Sequence, residues 1–174
     1  MTKHSPITPF SAHKDPRQTP APLTFPLLLA RVADFIGAER DLEGVGHSQD
    51  PAYRLWLRDA ERAQTRLTDG LRHFHALPNA TLFDQPLFRT ALLIDAMLGC
   101  EELGGARRLH QEMHFAFFSQ FQIAGIGAIA MQRNAMLIQA RHLMTALVAL
   151  PLFDSAPEVL DDKRDQDEPP APAF

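Results

Sequence analysis

The sequence predicts an all-α fold, a bundle of four to five helices, and three observations lead there. Apolar residues recur with a helical period over most of residues 23–153. Helix-start signals such as Asp50-Pro51 are followed, one helix length later, by proline or glycine breakers. Every strand-like run is short and lies inside a helical pattern, and no repeat of fixed period marks a solenoid. The expected organisation is a disordered Pro-rich arm over 1–22, a helical bundle over 23–153, and a disordered acidic, Pro-containing tail over 154–174.

The arm carries Pro6, Pro9, Pro16, Pro20 and Pro22 among polar residues, which removes amide donors and leaves little to bury. Thr24-Phe25-Pro26 opens the first predicted helix, with proline in its first turn. Leu28, Val32, Phe35 and Ile36 supply its spacing, and Gly44 and Gly46 end it. Asp50 then serves as the expected N-cap of a long amphipathic helix reaching about Ala76. Tyr53, Trp56, Ala60, Ala63, Leu67, Leu71 and Phe74 form its apolar stripe. Arg54, Arg58, Arg62 and Arg66 line its outer side, but Asp59, Glu61 and Asp69 interleave with them and dilute any positive field. Gly70 follows Asp69 within this pattern, a weak point of the helix rather than a hairpin turn.

Thr81 or Asp84 caps a third helix beginning near Pro86, with Leu87, Phe88, Ala91, Leu92, Leu98 and Leu103 as its periodic residues. Gly99 weakens it and Gly104-Gly105 breaks it. A fourth helix starts at Arg107 and leads into Met113–Phe153, a stretch with no acidic residue and only Arg133 and Arg141 as formal charges. Such a segment has to be buried in this chain, in a partner or in lipid. It divides into an aromatic helix, a joint at Ala124-Gly125-Ile126-Gly127-Ala128, and a heptad-like helix. The joint reads either as a bend or as a smooth patch for a neighbouring helix; the phosphate-loop reading lacks the remaining glycines and a preceding strand. In the last helix Ile129, Met136, Leu143 and Leu150 lie seven apart, with Ala140 and Leu147 in the neighbouring seam. The other side, Met131, Ala135, Ile138 and Ala149, is apolar too, which places this helix at the centre of the bundle.

Composition excludes several function classes. The net charge is −4, and the tail from Asp154 holds seven acids against Lys163 and Arg164, so the rest of the chain is close to neutral. That is no general nucleic-acid-binding surface, and the helices after the candidate turns are too apolar for recognition helices. One cysteine, Cys100, forbids an intramolecular disulfide and suits a reducing cytosol. It sits in what reads as an apolar helix, where a thiol is inert. The apolar run at Phe25–Ala30 is too short for a signal sequence, so a cytoplasmic, untargeted protein is expected. Phe115 to Gln132 has eighteen uncharged residues, enough for a membrane span, but four of them are polar and Arg141 follows; soluble burial is favoured.

Candidate sites are few. His110 and His114, at i and i+4, could present two imidazoles to a metal, with His73, His75 or His142 as further ligands, but no Glu completes an HExxH pattern. No Gly-x-Ser-x-Gly or paired carboxylates assemble a catalytic centre, so no catalytic residue and no cofactor is expected. Arg133 borders the apolar face of its helix, and neither it nor Arg141 has a carboxylate within four residues. A buried guanidinium needs a partner, drawn from Asp34, Glu39, Asp95, Glu101 or Glu102, from a second chain, from an anionic ligand, or from water by snorkelling outward. The expectation is therefore a non-enzymatic bundle protein that self-associates or binds a protein partner. The alternative is a regulatory binding protein with an apolar pocket lined by Met113, Phe117, Phe121 and Met136, gated for an anionic amphiphile by Arg133 or Arg141. A lipid-surface-associated helical protein is the third reading.

Overall fold

The computed structural model describes residues 19–43, 51–78 and 81–153. Five α-helices make up nearly all of it: α1 (Ala21–Glu43), α2 (Pro51–His75), α3 (Gln85–Leu98), α4 (Gly105–Ala116) and α5 (Ala128–Val148). No strand occurs among the described residues, so the chain is all-helical as the periodicity predicts. The two arms, the glycines after α1 and the Asp50 cap lie outside the described residues, apart from Thr19 to Pro22.

α1 begins at Ala21, a turn earlier than Thr24-Phe25-Pro26 implies and inside the stretch assigned to the arm. The amide of Thr24 and its hydroxyl both donate to the Pro20 carbonyl, at 3.0 Å each. Burial of Ala21 and Phe25 supplies the reason for the extra turn. α1 and α2 form the most extensive pairing and run antiparallel, with Phe25 against Phe74 (centroids 5.4 Å apart) and Arg31 crossing Gly70. Gly70 is thus a site of close approach, because an added Cβ would meet the Arg31 side chain. Phe74 carries the contact on to Phe88 of α3, 4.8 Å between centroids. α5 lies against α1, α3 and α4, and the shared core runs through Leu29, Val32, Leu71, Ile94, Met97, Leu137, Met144 and Leu147.

α3 ends at Leu98 with Gly99 as its C-cap, shorter than the pattern through Leu103 suggests. Leu103 is exposed, and Cys100 sits in the loop rather than in a helix. Its Sγ covers Gly105, where a Cβ would collide with it. Gly104 takes φ +72°, a left-handed turn that redirects the chain into α4.

The acid-free stretch is not one helix. α4 passes into a π-helical turn, Phe117–Phe121, closed by the Gln122 amide on the Phe117 carbonyl at 3.1 Å. An irregular segment follows, with Gly125 at φ +117°, a value L-residues rarely adopt. The joint is therefore a bend, and the Phe115–Gln132 window cannot cross a membrane as a single helix. It is held to α5 by Asn134, whose side-chain amide accepts from the Ile123 N–H and donates to the Ile123 C=O, both at 2.9 Å. The inward stripe of α5 is Ala130, Arg133, Leu137, Ala140, Met144 and Leu147, a heptad-type seam. Ile129, Met136 and Leu143, the expected central positions, are only partly buried, because the stripe is turned toward the Ala140–Leu147 side. The opposite face, with Met131, Ala135 and Ile138, is exposed, so α5 is a one-sided helix rather than a fully enclosed one.

Among the described residues, α1 is the helix long and apolar enough to cross a membrane, with mean hydropathy 1.4 and 44% of that window buried in the bundle.

Candidate functional site

Four features carry the chemistry on α5 and its neighbours. The first is an enclosed ion pair. Arg133 stands on the inward stripe with no exposed side-chain surface, and its Nε and Nη2 donate to Asp84 Oδ1 at 3.1 and 3.0 Å. Asp84 is equally buried. Its second oxygen, Oδ2, accepts from the Thr81 hydroxyl at 2.7 Å, and Arg133 Nη1 reaches Gln132 Oε1 at 3.3 Å. Desolvating two ions costs several kcal/mol each, and only full satisfaction of both groups makes the pair tolerable. The sequence signals at Thr81 and Asp84 read as alternative helix caps, yet the Asp84 carboxylate makes no capping bond to the backbone of α3. The counter-ion of Arg133 is thus none of the acids singled out from the sequence. Nothing in the local pattern distinguishes a capping aspartate from one whose carboxylate turns inward, 49 residues away from its partner.

The second is a basic and aromatic cluster where α4 meets α5. His110 and His114 project together, ring centroids 6.2 Å apart, toward Arg141 and Thr145. Arg141 Nη2 lies 3.0 Å from Nδ1 and 3.2 Å from Nε2 of His114. Its guanidinium also sits 5.1 Å from the centroid of Phe117 and 5.9 Å from that of Phe118. His110 Nε2 is 3.0 Å from Thr145 Oγ1, and the Thr145 hydroxyl donates to the Arg141 carbonyl at 3.0 Å. Because that hydroxyl proton is committed, His110 Nε2 is the donor of the pair. Burial first, then the neighbouring His114 and Arg141, holds the His110 pKa below the ordinary imidazole range.

The third is a shallow groove of about 420 Å³ between the start of α3 and the π-helical turn. Leu82, Phe83 and Pro86 form one wall and Ile123 and Ala124 the other, while Arg89 closes one side by donating to the Gln120 carbonyl at 3.3 Å. The fourth is the uncovered face of α5 itself, continuous with the Ile123 joint through Asn134, which stands one turn from both Met131 and Ile138.

Of the expected pocket residues, Phe117, Phe121 and Arg141 lie together, and Arg133 is turned away from them. Met113 and Phe117 are packed in the core, Phe121 stacks on Phe117 at 6.4 Å, and Met136 packs against the core from the side. Arg133 is closed off with Asp84, and of the two arginines only Arg141 reaches the surface. His110 and His114 do come together, but the third neighbour they acquire is a guanidinium. Among the described residues no group of three or more His, Cys, Asp or Glu side chains is placed to hold a metal ion. His75 instead faces Asp95, 3.5 Å away. Thr145 and Asn134 were not legible as site residues, because hydroxyl and amide groups on a helix give no periodic signal. No protein-family model, curated protein or solved structure matches this chain.

Proposed function

We propose that this chain is a non-enzymatic interaction protein that associates with a second copy of itself through the outer face of α5. One observation carries the reading: α5 is apolar on two sides, and the other helices cover only one of them. Met131 is 64% and Ile138 44% exposed. Large apolar side chains gathered on one face of a small protein favour association, since each buried side chain contributes about 1.5–3 kcal/mol when removed from water. A two-fold pairing of this face would bring the same residues together from both copies, the commonest geometry of small oligomers. The face carries no acid, so its pairing would bury no carboxylate.

Light scattering coupled to size-exclusion chromatography tests this directly. The expected result is a mass above the 19.4 kDa of one chain, returning to one chain in the Met131→Lys/Ile138→Lys double variant. A wild-type protein that stays monomeric at high concentration overturns self-association. A lipid-associated role draws its support from the composition of α1; repeating the measurement with and without detergent separates the two, because self-association through α5 requires no lipid.

A further inference from the structure

We infer that the seam between α4 and α5 at Arg141 binds a phosphate-type oxyanion carried on an apolar body. Arginine stays charged at any working pH, and among the described residues no acid pairs with this one. Among the described residues its side-chain contacts are the His114 ring and the faces of Phe117 and Phe118. The charged and titratable groups around it are few. α4 contributes His110 and His114 on this side, while Glu112, on another face of α4, lies toward Arg108. Glu102 is taken by Arg108 at 2.6 Å. The π-helical turn adds aromatic rings and no charged or titratable group, and α5 adds Thr145, with His142 on its outer face. Three groups able to carry positive charge therefore face one another with no carboxylate among them.

The hydrogen bonds show what is missing. A guanidinium offers five N–H donors in a fixed fork, and the bonds at this site engage Nη2 alone. Nη2 is almost equidistant from the two ring nitrogens of His114, so it lies against the face of the imidazole and not on either lone pair. A tetrahedral oxyanion seated at the edge of Arg141 accepts from the remaining guanidinium donors as paired charge-assisted bonds. Phe118, exposed beside the guanidinium, supplies an apolar surface for whatever the oxyanion is attached to.

Histidine ring C–H resonances of the full chain, followed by NMR, provide the test. Phenyl phosphate is expected to shift His110 and His114 saturably, more tightly than inorganic phosphate does, and to bind about tenfold more weakly to Arg141→Gln. Thr145→Glu, an exposed substitution that hands Arg141 a carboxylate one turn away, is expected to compete with the ligand if Arg141→Gln does not fold. Sedimentation with phosphatidylcholine vesicles, with and without phosphatidic acid, assigns the source. Arg141-dependent capture by the acidic vesicles identifies a lipid headgroup, and phenyl phosphate binding without capture identifies a soluble monoester. Absence of a saturable shift with phenyl phosphate, or unchanged affinity in both Arg141→Gln and Thr145→Glu, overturns the assignment.

Discussion

Arg133 and Arg141 lie just over two helical turns apart on α5, and the fold treats them in opposite ways. Arg133 falls in register with Ala140 and Leu147 on the inward stripe, so it loses all contact with water and is answered by a carboxylate. Arg141 falls on the shoulder of the helix facing α4, where aromatic rings and an imidazole surround it and, among the described residues, no acid does. One helix thus holds a closed electrostatic unit and an open one. Burial decides between them: an arginine without water must find an anion inside the protein, whereas one at a seam can wait for an anion from outside.

Breaking the closed unit has the largest expected effect. Asp84→Ala, or Arg133→Leu, leaves an uncompensated charge in the core and should cost about 3–5 kcal/mol in urea unfolding. The Asp84→Leu/Arg133→Leu double variant should recover most of that loss, because no ion then remains to be desolvated. If the two single losses simply add in the double variant, the residues act on stability separately and the pair is not a unit. Arg141→Gln sits at the other end of the comparison. It removes cation–π contacts at a partly exposed site and should cost about 0.5–1 kcal/mol. A loss as large as that of Arg133→Leu would place Arg141 in the closed class after all.

A smaller effect reports on the open cluster through pH. His110 has its pKa lowered on folding, so the folded state binds its proton less readily than the unfolded chain. Its contribution to stability is complete above the unfolded value, near 6.5, and is lost as pH falls from there through the lowered folded value. Thermal unfolding should therefore show a decline in Tm over that window. Arg141→Gln should shrink this decline, since Arg141 is one of the groups that depress His110. An identical decline in the variant would separate the two residues electrostatically.

The helix pattern was legible because it depends on local spacing. α2, with its alternation of apolar stripe and charged outer face, runs over Pro51–His75, within a residue of its expected end. α5 shows where that reading stops. A helix apolar on two sides does not declare which side faces the core, and the choice of Arg133, Leu137 and Met144 over Met136 and Leu143 followed from packing against α1 and α3. The same limit applied to the candidate site. The pairing of His110 with His114 could be read from their spacing, but their meeting with Arg141 and Thr145 joins residues some thirty positions apart.

The sequence by itself determined an all-α chain, the approximate extent of its helices, and the need of a buried arginine for an anion; it left the glycine-containing joint open between a bend and a packing patch. Tertiary structure alone decided that Asp84 is that anion, that Arg141 lies at a seam with no acid beside it among the described residues, and that the second apolar face of α5 is left exposed by the other helices. The physical reason is a difference in range. Helix formation is governed by residues three or four positions apart, which any stretch of sequence displays. Desolvation and charge pairing are governed by where distant helices come to rest, which a one-dimensional pattern does not contain.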